Sequence, residues 1–188
     1  MERRSFLRTA AAIAPAAGLF PLLAGQAAAQ ASSPAASELH VVGDGKDRFD
    51  HPHSLGFSSI LFKIPPSETD GRLFLIEHRN LVAGGPPLHL HLNQEEWSYV
   101  MEGEVAFQVG EQRLRLKAGE SVLTPRRVAH TFSSISATPS RMMIAFSPAG
   151  KMVDYFNDTE KGGAPSDPAA YFRRYEMEYL GPSPFWKS

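Results

Sequence analysis

The chain has 188 residues, is 43% hydrophobic and 21% charged, and carries a formal net charge of −1. That is enough for one domain with a sizeable core and short for two, and the near-average composition argues against disorder across the body. The balanced charge excludes a strongly basic footprint, so no nucleic acid is expected as a partner; with no cysteine, disulfides and thiolate nucleophiles are excluded and His and carboxylates must supply any metal donors.

The first residues read as an export leader. Arg3-Arg4-Ser5-Phe6-Leu7-Arg8 precedes a mildly apolar Ala-rich stretch that ends in Ala27-Ala28-Ala29-Gln30-Ala31, where A-x-A cleavage patterns overlap. The paired arginines resemble the twin-arginine signature, which implies a periplasmic or secreted protein that folds before export. Pro15, Pro21 and Gly18 argue against a membrane-spanning helix, so no stable anchor is expected after cleavage. Removing residues 1–31 leaves a mildly acidic mature chain. The expected organisation is a leader over 1–31, an N-terminal arm over 32–54, a barrel over 55–148 and a helical extension over 149–188.

From Leu39 onward short strands are predicted between Gly, Pro and Asn. They cover Leu39–Val42, Gly56–Ile64, Arg72–Asn80, Leu88–Leu92, Trp97–Met101, Val105–Val109, Arg113–Lys117, Ser121–Thr124, His130–Ile135 and Arg141–Ser147. Alternation in Val105–Val109 and Arg113–Lys117 gives each strand one apolar face, and Gly110-Glu111 between them suits a two-residue turn with glycine first. Many short strands at this spacing imply a sandwich or barrel. After Ser147 the pattern becomes helical over Gly150–Asn157 and Pro168–Leu180. The second helix has Asp167 as N-cap, Pro168 at its first position and Gly181 past its end.

Two segments carry chemistry. In Leu88-His89-Leu90-His91-Leu92 the residues at i and i+2 share a strand face, so His89 and His91 project together while the leucines pack behind them. Two imidazoles on one face make a bidentate metal clip, which a nearby carboxylate can complete. The second segment, Gly119 to Phe132, could return His130 to the same interior.

Together the segments resemble the two motifs of the cupin superfamily, G-x5-H-x-H-x3–4-E-x6-G and G-x5-P-x-G-x2-H-x3-N. His89, His91, Glu96 and Gly103 keep the first spacing, and Gly119, Pro125 and His130 keep the second. Glu96 is chosen over Glu95 because it lies at the right distance from Gly103. Ala83 replaces the leading glycine, Arg127 stands where the family often has glycine, and Ser134 where it often has asparagine. The resemblance spans roughly residues 55–148. It implies an all-β cupin (jelly-roll) barrel with short C-terminal helices, and His89, His91, Glu96 and His130 as ligands of one divalent transition metal: Fe, Mn, Ni, Co, Cu or Zn. It also implies a homodimer.

The run Glu96-Trp97-Ser98-Tyr99-Val100-Met101-Glu102-Gly103-Glu104 and the later Pro125-Arg126…His130 are similar to quercetin-dioxygenase-like cupins. That likeness implies a dioxygenase acting on a small aromatic or enolic substrate, with Glu96 as the catalytic proton acceptor. An isomerase or lyase using the metal as Lewis acid, and a non-catalytic binder of a small ligand or metal, stand as alternatives. Tyr99, Phe107, Phe132, Met143 and Phe146 are candidates for an apolar pocket or for ordinary core. His78, on a face with Phe74 and Ile76, reads as a satisfied barrel histidine or an interface residue. His51-Pro52-His53 repeats the His-x-His spacing, but with Pro52 between them and no carboxylate evident it reads as surface. Arg126 and Arg127 either meet an anionic substrate at the rim or are solvated.

Overall fold

A computed structural model describes residues 40–162 and 165–185; the leader expected over 1–31 and the first part of the expected arm lie outside the described residues. No described helix is long and apolar enough to cross a membrane.

Eleven strands are described: β1 (His53–Ser54), β2 (Ser59–Ile64), β3 (Phe74–Leu81), β4 (Leu88–His91), β5 (Glu95–Glu102), β6 (Glu104–Val109), β7 (Gln112–Lys117), β8 (Ser121–Thr124), β9 (His130–Ser134), β10 (Ser140–Ser147) and β11 (Met177–Gly181). They form a six-stranded sheet in the order β1-β2-β3-β10-β5-β8 and a five-stranded sheet in the order β11-β4-β9-β6-β7. Every pairing is antiparallel. This is the cupin jelly roll that the motifs imply. Period-two alternation sends Ile60, Phe62, Phe74, Ile76, Val100, Ile144 and Phe146 of the larger sheet, with Val105, Phe107 and Phe132 of the smaller, into one apolar core. Gly110, at φ 58°, opens the two-residue loop between β6 and β7, as a glycine-first turn requires.

Helices α1 (Met152–Gly162) and α2 (Pro168–Arg174) follow the last core strand. Phe156 of α1 packs against Phe62, Phe74 and Phe146, so the helix lies against the core aromatics. Asp167 caps α2, accepting a hydrogen bond from the Ala170 N–H at 3.0 Å.

Two expectations need correction. The helix predicted over Pro168–Leu180 ends at Arg174. Tyr175 is buried, Glu176 turns through a left-handed φ of 61°, and residues 177–181 join the smaller sheet beside β4, so the extension is not wholly helical. The strand predicted over Leu39–Val42 is absent among residues 40–42, where Val41 is 90% exposed and has nothing to bury against. The arm is instead pinned by buried Asp47, whose carboxylate accepts hydrogen bonds from the N–H groups of Phe62 and Phe49 at 2.6 and 2.7 Å, and its last residues start β1.

Candidate metal centre

The His-x-His clip forms as its spacing requires: His89 and His91 face inward from β4 and are 6% and 2% exposed. His130, the first residue of β9, pairs directly with His89, and their ring centroids lie 4.4 Å apart. Glu96 arrives from the opposite sheet, on the inward parity of β5. Its Oε2 lies 3.3 Å from Nε2 of both His91 and His130. One donor atom from each of the four residues lies within 4.8 Å of the others, and all four residues are buried.

The imidazole tautomers follow from their outer partners. Nδ1 of His89 donates to the Pro87 carbonyl at 2.8 Å, and Nδ1 of His130 to the Val128 carbonyl at 2.9 Å. Nδ1 of His91 donates to Gln94 Oε1 at 3.0 Å, while Gln94 Nε2 donates to the Ala149 carbonyl at 2.6 Å. Carbonyl oxygens only accept, so each ring carries a proton on Nδ1 and turns Nε2 inward, that of His130 toward Glu96 Oε2 at 3.3 Å. Gln94 is 1% exposed, and a Cβ at Gly150 would collide with its amide. Sequence reasoning missed Gln94, although it stands three residues from His91.

Burial by itself raises the Glu96 pKa, but the adjoining His130 and His91 outweigh it and hold the carboxyl well below its usual range. Burial and the neighbouring imidazoles of His130 and His91 push His89 well below the usual histidine range. For His130 burial is outweighed by Glu96, and the net shift is upward. The donor set fits a metal ion on one further observation. Nε2 of His91 is buried and has no hydrogen-bond partner, because its 3.3 Å approach to Glu96 lacks hydrogen-bonding geometry. Three inward nitrogens and one carboxylate oxygen could hold a divalent transition ion.

Above the tetrad lies a chamber of about 30 Å³, walled by Phe132, Ile144, Phe146, Met152 and His78 among others. Leu55, Phe57, Pro86 and Tyr155 are shared with an outer cavity of about 550 Å³, which Pro87, Tyr171 and Phe172 also line. The outer cavity is therefore a vestibule onto the tetrad, and Phe172 of α2 meets His89 edge to face with ring centroids 5.7 Å apart. Among the described residues lining either space there is no Lys or Arg. His78 is buried and shares a 2.9 Å hydrogen bond with Ser58; burial lowers its pKa to about 4 against a smaller upward pull from Glu96. No motif in the sequence marks Leu55, Tyr155 or Phe172 as walls, because they come from the loop after β1 and from the helices.

The remaining candidates separate by strand parity. Phe132 and Phe146 line the chamber, and Phe107 is buried in the core beside Phe132. Tyr99 and Met143, cross-strand partners of odd parity to Glu96 and Ile144, turn to the outer face instead. Arg126 forks onto Glu95. Arg127 donates its backbone N–H to the His91 carbonyl at 2.7 Å, in a left-handed conformation of φ 61°. That is the conformation for which glycine is suited, at the position where the motif often carries one. Neither arginine lines the vestibule. His51 and His53 meet Glu160 of α1, and His53 is buried, contrary to the surface reading.

Residues 81–146 match the family model of the cupin domain. That match covers the part of the barrel that carries the tetrad. In structure it is similar to an RmlC-like cupin from Shewanella frigidimarina at 22% identity, over 62% of this chain and 96% of that one, with a TM-score of 0.50. It is also similar to KdgF from a Halomonas species (17% identity, 57% and 94% covered, TM-score 0.46). A predicted oxalate decarboxylase from Thermotoga maritima is a third (17%, 48% and 79%, 0.45). No functionally curated protein matches the chain.

Proposed function

We propose that the chain is a metal-dependent, dioxygenase-type oxidoreductase acting on a small, uncharged aromatic or enolic compound. His89, His91, Glu96 and His130 would hold one divalent transition metal. The observation that carries this reading is the tetrad at the floor of an aromatic-walled vestibule lined by no described cationic side chain.

Beyond the metal ion itself, such a lining offers a small dicarboxylate no counter-ion, and the vestibule sets its outer charge against Glu160. A flat neutral ring instead gains contact with Phe57, Tyr155 and Phe172 as water leaves. A divalent ion in the tetrad supplies Lewis acidity and, where redox-active, one-electron chemistry with O2. Glu96 is held ionised by the adjoining imidazoles, the form that accepts the proton of a phenol or enol O–H brought to the floor. His78, whose pKa burial lowers to about 4, adds no positive charge to the chamber near neutral pH. The inner chamber has room for little beyond a reacting oxygen or a diatomic, so the body of the substrate stays in the vestibule.

Export by the twin-arginine route and removal of residues 1–31 belong to the same proposal, supported by Arg3-Arg4-Ser5-Phe6-Leu7-Arg8; N-terminal sequencing of the periplasmic protein tests it. A homodimer is proposed as well. Support comes from Trp97 and Leu123, cross-strand neighbours on the outer face of the larger sheet at its β8 edge and both partly exposed.

The test is elemental analysis of the purified protein beside His130→Ala, then oxygen-electrode measurements with a flavonol and a β-diketone. The proposal expects one bound transition metal, lost in the variant, and O2 consumed in step with substrate. Proton exchange at carbon without O2 uptake would replace it with an isomerase. Failure to take up any metal on titration would overturn it.

A further inference from the structure

A second donor cluster lies apart from the tetrad. His53 in β1 and His51 two residues before it place their rings edge to face, with centroids 5.0 Å apart. Between them comes Glu160, near the C-terminal end of α1, whose Oε2 lies 3.3 Å from His51 Nε2 and 3.8 Å from His53 Nε2. One donor atom from each residue lies within 4.8 Å of the others. Asn157, almost one helical turn before Glu160, puts Oδ1 2.8 Å from His53 Nε2. Sequence spacing hides the arrangement, since the carboxylate is more than a hundred positions from the histidines.

We infer that His51, His53 and Glu160 form a second binding site for a divalent transition metal, a clamp that ties β1 to α1 at the lip of the vestibule. Two imidazoles and one carboxylate are the donor chemistry of Zn(II), Ni(II) and Cu(II) sites, and Asn157 Oδ1 or water can complete the shell. His53 has one nitrogen to offer. Its ring is stacked on Phe62 at 4.4 Å, its Nδ1 is buried without a hydrogen-bond partner, and Nε2, which donates to Asn157 Oδ1 in the metal-free chain, faces the cluster and takes an ion once that proton moves to Nδ1. The side chain is 4% exposed, so this donor is held in place before any ion arrives. His51 and Glu160 are 67% and 29% exposed, which leaves a path from solvent. The last turn of a helix carries partial negative charge, which adds to the attraction for a cation. Glu160 also lines the vestibule, so an ion here neutralises the one carboxylate among its described lining residues and fixes the helix that carries Tyr155.

The experiment is equilibrium dialysis of the metal-loaded full chain against Zn(II), with bound zinc read by elemental analysis, for wild type, His51→Ala, Glu160→Gln and His130→Ala. Both clamp substitutions fall on accessible side chains and leave the core intact. The expected result is that His51→Ala and Glu160→Gln each lose one equivalent of total metal that His130→Ala retains. Zinc binding equal to wild type in both clamp variants overturns the inference. A chain that binds one equivalent, lost in His51→Ala and kept in His130→Ala, sustains the clamp and removes the barrel centre; the reverse pattern sustains the centre and removes the clamp.

Discussion

Replacing Gln94 by Leu tests whether the tetrad is held ready for an ion. Leu keeps much of the volume but removes the oxygen that accepts from His91 Nδ1 and the N–H that donates to the Ala149 carbonyl. Both partners then lie in a region where Gln94 itself is 1% exposed, so water cannot readily replace it. An orphaned buried donor or acceptor costs about 1–3 kcal/mol, and two give a loss of roughly 2–4 kcal/mol in the metal-free protein after partial relaxation. That is a large share of a typical domain stability of about 5–15 kcal/mol. The freed His91 ring also loses its preferred tautomer, and loss of such an outer partner weakens metal binding by about 10–100-fold. Chemical denaturation of the stripped protein reads the first effect, and competition with a chromophoric chelator reads the second. A Gln94→Leu protein with wild-type stability and wild-type metal affinity would refute the reasoning, since His91 would then need no fixed tautomer.

Three further outcomes follow from the same geometry. His78 has a folded pKa of about 4 against an ordinary 6.5, so above pH 6.5 it costs no stability. As pH falls from 6.5 toward 4 the unfolded chain takes up a proton that the folded chain refuses, a loss on the order of 3 kcal/mol. Denaturation midpoints across that window should fall less steeply for His78→Gln than for wild type, and parallel curves would contradict the assignment. Gly85→Ala would drive a Cβ into the backbone carbonyl of Phe132 at a φ of 94°, a cost on the order of 3 kcal/mol from overlap and strain. Its melting temperature should drop sharply, and an unchanged one would show that the chain at the vestibule rim gives way. If the proposed homodimer forms through Trp97 and Leu123, Leu123→Lys should sediment as monomer where wild type sediments as dimer, with circular dichroism unchanged; a wild-type monomer, or a dimer undisturbed by the substitution, would refute that interface.

The strands and the His-x-His clip were legible because they depend on short-range periodicity. Alternation in Leu88–Leu92 and Val105–Val109 is decided by local geometry, and β4 and β6 appear with the faces those patterns dictate. Gathering Glu96 and His130 with the clip depends on sheet pairing across distant positions, and the spacing of the cupin motifs carried that information through resemblance rather than through local physics. Parity placed Tyr99 and Met143 outside, a result available once Glu96 and Ile144 are known to point in. Three features came only from the tertiary structure. Tyr155 and Phe172 wall the vestibule because α1 and α2 lie over the tetrad's side of the barrel. Residues 177–181 form a strand because β4 offers a free edge, against their own helical pattern. Glu160 meets His51 and His53 because packing of α1 against the core brings its far end to β1. Long-range contacts of this kind leave no periodic trace in a single sequence, since each partner satisfies its own local preferences wherever the other one lies.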